Sequence, residues 1–378
     1  MKQQTALVQF PITIEAKDLI QQIFRNKDFV WPVDRDFAAS FLHLCRQEGL
    51  TGLIFKALKD SGKLAGTLEP IRTGLVGSRI AGEWIRHLMD TELARVFQML
   101  SDSGIRALLF KGSALAHILY PEPWLRLGCD SDILIRATDR EQVENVLIGM
   151  GYERHPGISG NLLMKQAGYS LKKNGYVIVL DVHWDFCQAQ VLSGLLVFDD
   201  LYGKSFEVTG IGPQVRAFSK VDSLILACAH WVGHMTDRKL IWLYDIHLLL
   251  ESLTGNEQID FCHAAKQKGV CAICLHTLRQ AQKCFGTKIE AGIEAALKEM
   301  EAQRLEPSAR LIQEKKRADR IWGDLLAVPG WRNKIRLALE HLFPPGDYMR
   351  HRYGQSSQLL LPFLYLHRAL KGLVRIMR

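Results

Sequence analysis

The chain has 378 residues, of which 48% are hydrophobic and 23% charged, with a formal net charge of +8. That balance excludes a disordered or fibrous polymer, and the length implies two or three compact units with a sizeable interior. The excess charge is local: residues 301–378 hold 15 Lys/Arg against 7 Asp/Glu, whereas residues 1–300 hold 33 of each. A solvated helix face is the expected reading of this basic C-terminal tail, the alternative being contact with an anionic partner, whether RNA, membrane or acidic protein.

The opening stretch MKQQTALVQFPITIEAKD breaks its apolar run at Gln9, Pro11 and Glu15. It lacks the continuous core of a secretory signal, so export is not expected. No apolar run approaches the ~20 residues that cross a bilayer. Eight cysteines, Cys187 among them, are scattered through apolar surroundings. They do not resemble a disulfide framework, and a reducing cytoplasm fits best. Cys271 and Cys274 form a single CxxC without a partner pair, so they are read as buried helical thiols rather than metal ligands.

Residues 15–103 read as helices. Phe37, Phe41, Leu44 and Leu53, Phe55, Leu58 recur at near-helical spacing, and a longer helix runs from Ile80 to Leu100 and ends at Gly104. Short β-prone runs follow at Ile105–Phe110, Ser131–Arg136 and Tyr176–His183, with one helical segment at Glu141–Met150, which implies a small mixed sheet. Helical periodicity returns at Ser219, where Ser219 to Asp222 resembles a capping box. The expected plan is an α+β fold: helices, a small mixed-sheet α/β unit near 104–212, then a helical C-terminal unit.

Three segments carry chemistry. The strand ending at Phe110 runs into Lys111-Gly112-Ser113 with a helical run, Ala114 to Tyr120, straight after. Glycine admits a bulky anion to the backbone, Ser113 is placed to cap the helix and bond an oxygen, and the helix N-terminus favours negative charge. Asp130 and Asp132 stand two apart at the mouth of the next strand, so alternation puts both on one face. Such hard oxygen ligands suit Mg²⁺, with Mn²⁺ as its substitute. Asp181 enters a third strand after four apolar residues, where an unpartnered carboxylate is costly. Each segment alone has an ordinary reading as a turn or a salt-bridged strand end. Together they outline a two-metal phosphate site on one sheet.

These residues resemble the nucleotidyltransferase superfamily related to DNA polymerase β, and within it the bacterial uncharacterised nucleotidyltransferase family. The resemblance rests on the KGSAL strand end, the YPEPWLR segment leading into DSDILI, the LDVHW strand and the later RKLIWLYDIHLLL helix. It covers residues 104–250 well and the flanking helices only by general pattern. It implies an N-terminal helical region (1–103), a nucleotidyltransferase α/β core (104–212) and a helical C-terminal domain (213–378). By the same resemblance Gly112 and Ser113 match the superfamily's Gly-Ser, and Asp130, Asp132 and Asp181 match its three catalytic, metal-binding carboxylates. The helix carrying His230 and His234, with Arg238, Lys239 and Asp245 beyond it, is then expected to pack over the site.

Lys111 and Arg126 are candidates for triphosphate oxygens, or else structural salt bridges. His183 shares the strand face of Asp181 and is a candidate for nucleotide or acceptor contact, or else a satisfied histidine. His230 and His234 have metal-ligand spacing without the acidic residue of an HExxH site, so zinc is not assigned. Trp231, Trp242 and Leu243 read as core rather than a base-stacking platform.

The implied activity is Mg²⁺-dependent transfer of a nucleoside monophosphate from a nucleoside triphosphate, ATP among them, to a hydroxyl-type acceptor with release of pyrophosphate. The acceptor is open among a small molecule, a peptide or protein, and RNA. The alternatives are phosphoryl or pyrophosphoryl transfer, and a non-catalytic nucleotide-binding regulator. The amphipathic stretch Leu359–Arg378 is expected to pack against the body or, failing that, to lie on an anionic membrane.

Overall fold

Periodic burial builds the first layer. In a computed structural model that describes residues 14–32, 36–157, 162, 165–186, 189–235, 237–303, 306–314, 316–354 and 357–377, helices α1 (Ile14–Phe24), α2 (Phe37–Gln47), α3 (Thr51–Asp60) and α4 (Glu69–Asp102) come first. The start of the chain up to residue 13, Cys187 and Arg378 lie outside the described residues, as do the side chains of Leu373, Arg375 and Ile376. Phe41, Leu44, Ile54 and Leu58 are fully enclosed in a cluster that also takes in Trp124, Leu125 and Ile241. Helix α4 starts eleven residues before the expected Ile80. Its first turns bury Ile71 and Leu75, too few for a clear period, while Pro70 pre-sets the entering backbone. Gly104, at φ 73°, ends the turn beyond it as expected.

The sheet contains β1 (Ala107–Phe110), β2 (Ser131–Ile135), β3 (Glu153–Arg154), β4 (Gln166–Lys173), β5 (Tyr176–His183), β6 (Phe206–Glu207) and β7 (Arg216–Ala217). Helices α5 (Lys111–Ile118), α6 (Arg140–Gly149) and α7 (Phe198–Gly203) lie between them. Among the described residues the strand order is β3-β4-β5-β2-β1-β7-β6. β2 runs antiparallel to β1 and parallel to β5, so the sheet is mixed, and the fold is α+β as expected.

Strand alternation sorts the side chains into two layers. Leu109, Ile133, Ile135, Leu180 and Val182 face α4 and α6. Leu108, Phe110 and Leu134 face the opposite way, onto α8 (Lys220–Gly233), α9 (Leu240–Ser252), α10 (Gly255–Lys268) and α11 (Cys271–Phe285). Since Ile133 and Val182 belong to the first face, Asp132, Asp181 and His183 necessarily belong to the second, beneath the C-terminal helices.

Helix α8 begins where expected: Ser219 Oγ accepts from the Asp222 amide at 3.1 Å. The chain ends in α12 (Ala291–Gln303), α13 (Arg310–Gln313), α14 (Arg317–Ala327), α15 (Trp331–Leu342), α16 (Gly346–Tyr353) and α17 (Leu361–Met377). In its described part Leu359–Arg378 packs one face of α17 on the preceding helices, through Tyr365 and Arg368, and leaves Leu359, Leu360, Phe363, Leu366 and Leu370 exposed on the other. The seven described cysteines, Cys271 and Cys274 included, are free thiols. Among the described residues no helix is long and apolar enough to cross a membrane.

Candidate active site

Parallel pairing of β2 with β5 sets Asp132 directly beside Asp181, and Leu134 beside His183. The result is a group in which one ligand atom each of Asp132, Asp181 and His183 lies within 4.8 Å of the others. Asp130 sits just before β2 and lines the same cavity as Asp132 and Asp181. The cavity has a volume of about 300 Å³ and is closed from above by His230, His234, Lys239 and Trp242 of the α8–α9 region.

Lys111 enters this centre through an unusual backbone. Phe110 is extended, at φ −148° and ψ 176°, and Lys111 turns at once into the left-handed region at φ 55°. That conformation costs a non-glycine residue on the order of 1–2 kcal/mol. It delivers the ammonium to Asp132, with Lys111 Nζ donating to Oδ1 at 2.6 Å. His183 Nε2 lies 2.9 Å from the same oxygen, and as the partner of a carboxylate it is the donor. Burial alone raises the Asp132 pKa, but Lys111 and His183 outweigh it and hold the carboxyl well below its ordinary range.

Asp181 has the opposite balance. Burial comes first, the negative charges of Asp132 and Asp130 add to it, and its pKa is pushed up to about 6. Gln166 of β4 donates to its Oδ2 at 3.2 Å. Asp130 is raised too, by burial and then by Asp132, against the pull of Lys111, Lys239 and Arg126. Three carboxylates thus converge on a half-buried space where added positive charge is favoured.

Several sequence-based assignments change here. The helix after β1 starts at Lys111 itself, so Ser113 falls within its first turn and is not the cap. Ser113 is 2% exposed and its hydroxyl lies 2.8 Å from that of Ser131, which ties α5 to β2 instead of opening onto the cavity. Gly112 does line the cavity. A Cβ there would stand 3.2 Å from both terminal nitrogens of Arg126, a tight contact that would push on the buried ion pair.

Arg126, on the cavity wall, is engaged in a buried ion pair. Its Nε donates to Asp245 Oδ1 at 2.9 Å and its Nη2 to Oδ2 at 2.7 Å, while the Tyr120 hydroxyl donates to Oδ1 at 2.6 Å. The ion pair is formed, and the guanidinium also lines the cavity. The pair clamps α9 onto the segment that leads into β2. His183 is 2% exposed, set against the Phe110 ring, and bonds Asp132 from within the same three-residue group.

His230 and His234 point towards Trp242, with ring centroids 4.3 and 4.8 Å from it, and burial lowers the basicity of both, to about 4 for His234. They belong to no metal-ligand group among the described residues. Trp231 and Leu243 are core as expected, whereas Trp242 is half-buried on the cavity wall.

Sequence reasoning misses Gln166, and with it the whole of β4. A signal exists: Asn174 and Gly175, at φ 51° and 77°, form the tight turn between β4 and β5, and Asn-Gly is a strong hairpin marker.

A family model described as uncharacterised nucleotidyltransferase matches residues 37–286. No curated protein matches the chain. The match spans most of the chain, from α2 through α11, and takes in every residue of the carboxylate centre. The chain belongs to this family, whose members are classed as transferases of nucleotidyl groups.

Proposed function

We propose that the protein transfers a nucleoside monophosphate from a nucleoside triphosphate to a hydroxyl-bearing acceptor, with pyrophosphate as the leaving group and a divalent cation, Mg²⁺ or Mn²⁺, as the required partner. The observation that carries this reading is the convergence of Asp130, Asp132 and Asp181 on one cavity beside Lys111 and Gly112. The donor set fits a hard cation. With the His183 imidazole engaged on Asp132, the ligand atoms left at the strand ends are carboxylate oxygens, and the raised values of Asp130 and Asp181 mark a deficit of positive charge among them. Bound there, the cation supplies charge neutralisation at the triphosphate and at the attacking oxygen.

The chain's own groups account for the rest. The Gly112 backbone and the first turn of α5 cradle phosphate oxygens, with Lys111 and Lys239 as point charges. Ser113 contributes by fixing that turn to β2, and His183 by holding Asp132.

Asp181 and Gln166 line a second, larger cleft of about 950 Å³ as well, with Trp184, His155 and Tyr348 on its walls. Asp181 therefore separates two spaces, and we assign the smaller to the nucleotide and the larger to the acceptor. In the transfer the acceptor oxygen bonds to the α-phosphorus, the bridge to the β-phosphate breaks, and Asp181 takes the hydroxyl proton. We place this activity in the cytoplasm, where nucleoside triphosphates and free thiols coexist.

The test is incubation of the protein with Mg²⁺ and nucleoside triphosphates labelled at the α- or γ-phosphate, against pooled metabolites, RNA and proteins. Transfer of α-label, lost by about 10³-fold in Asp132→Asn, is the expected result. Transfer of γ-label alone would instead make the enzyme a phosphoryl transferase, and triphosphate binding without any turnover would make it a regulator.

A further inference from the structure

The last helices present apolar side chains to solvent in a pattern that the nucleotide site does not use. In α15, Trp331, Ile335, Leu339 and Leu342 are all exposed, and their spacing places them within one stripe along the helix. In α17, Phe363, Leu366 and Leu370 form a second stripe, with Leu359 and Leu360 just ahead of it. Exposure is high: 67% for Trp331, 69% for Phe363 and 65% for Trp322 of α14. The two helices meet, because Phe343 just after α15 lies 5.9 Å, ring to ring, from Tyr365, which helical spacing sets on the half-buried side of α17, away from its stripe. The Tyr365 hydroxyl and the Arg368 guanidinium bond the carbonyls of Pro344 and His341 across the same junction.

The surroundings are cationic. Residues 331–371 hold seven Lys/Arg against the two acidic groups Glu340 and Asp347. Arg332 lies over the ring of Trp331 at 5.4 Å, so positive charge borders the apolar stripe itself. The segment begins beyond residue 286, outside the part of the chain that matches the family. Long apolar stripes edged by Lys/Arg, with tryptophan and phenylalanine among the exposed rings, match a bilayer interface of negative charge: acyl boundary for the stripe, headgroups for the cations. An ordinary soluble surface rarely leaves so many large apolar groups uncovered together.

We propose that α15 and α17 form a docking surface for the face of an anionic lipid bilayer, which holds the enzyme at the membrane without crossing it. The decisive experiment is co-sedimentation of the full-length protein with large vesicles of phosphatidylcholine alone or of phosphatidylcholine mixed with phosphatidylglycerol. Binding to the mixed vesicles, weakened by added salt, is expected. The exposed double variant Trp331→Ser/Phe363→Ser should bind about tenfold more weakly or worse. Lys334→Glu/Lys371→Glu should lose about fivefold for each removed cation. Both variants should keep the wild-type circular dichroism and melting temperature, since these side chains project from the surface. Equal binding to neutral vesicles, or none to either, overturns the proposal. So does a wild-type dimer in solution that Trp331→Ser/Phe363→Ser converts to monomer, because the stripe would then be covered by a second copy of the chain.

Discussion

Two buried ionic centres share the cavity, and they are built on opposite plans. In one, Arg126 grips both oxygens of Asp245 and Tyr120 completes the set, so that a single negative charge is fully answered by its neighbours. In the other, Asp130, Asp132 and Asp181 crowd towards Lys111, and two of the three carboxyls titrate high. A closed pair buried in this way serves as a joint: it fixes α9 over β2. An open, over-negative centre is poorly suited to holding a fold together, and under the proposed function its form suits a cation that arrives with substrate.

The contrast is broken most severely at the joint. Asp245→Ala leaves the Arg126 guanidinium buried without its counter-ion, and removal of one partner from such a pair costs about 3–5 kcal/mol. Chemical denaturation should show that loss, and nucleotide binding should weaken with it as α9 loosens. A double variant, Arg126→Met with Asp245→Leu, should recover most of the stability, because the damage comes from the stranded charge. If the single variant melts like wild type, the pair is not a joint.

The opposite behaviour is expected at the open centre. The folded state holds the Asp181 proton up to about pH 6, whereas an unfolded aspartate releases it near ~3.9. The unfolded chain therefore sheds that proton first, so metal-free stability falls as pH rises from about 4 to about 6. Asp181→Asn abolishes this dependence and should make the metal-free protein more stable than wild type at neutral pH, while removing transfer activity. Melting temperatures across this pH range, with and without Mg²⁺, check both statements: Mg²⁺ should restore wild type above pH 6 and do nothing for the variant. An Asp181→Asn protein that is less stable at every pH would place Asp181 with the joint instead.

What the sequence reveals follows the same division. Asp130 and Asp132 stand at the mouth of a run with plain β patterning, and alternation alone puts those two on a common face, whereas Asp181 joins them through the register of β2 with β5, which only the family resemblance anticipates. Lys111 and Gly112 are legible because an apolar strand that stops at a glycine and restarts as a helix leaves bare amides at the junction, the shape that phosphate requires. Partners set by tertiary contact are not legible. Arg126 and Asp245 are separated by 119 residues, and nothing local distinguishes an arginine that binds phosphate from one that binds a distant aspartate. Local pattern makes Ser113 a cap because the run of helix formers begins at Ala114; the left-handed turn at Lys111 moves the start three residues earlier and turns the hydroxyl inward. Strand β4 alternates only weakly, with small Ala167 ahead of Tyr169 and Leu171, and it is held by an eight-residue pairing with β5. The exposed stripes of α15 and α17 are visible as periodicity, but periodicity does not say whether a stripe is covered.

The finest test of the comparison lies at His183, the one residue of the open centre that is itself fully enclosed. It touches Asp132 Oδ1, which Lys111 also holds, so the carboxylate has two donors and the loss of one leaves it oriented by the other. Groups that orient a metal ligand are typically worth about 10–100-fold in metal affinity, and the duplicate support argues for the lower end, about tenfold, in His183→Gln. Gln retains an N–H for Asp132, whereas His183→Phe, which fills the space beside Phe110 without a donor, should cost more. Mn²⁺ titration followed by paramagnetic broadening gives the ordering directly, independent of turnover. If His183→Gln and His183→Phe weaken Mn²⁺ equally and by far more than tenfold, then the imidazole is itself a ligand, and the hydrogen bond to Asp132 is only its resting position.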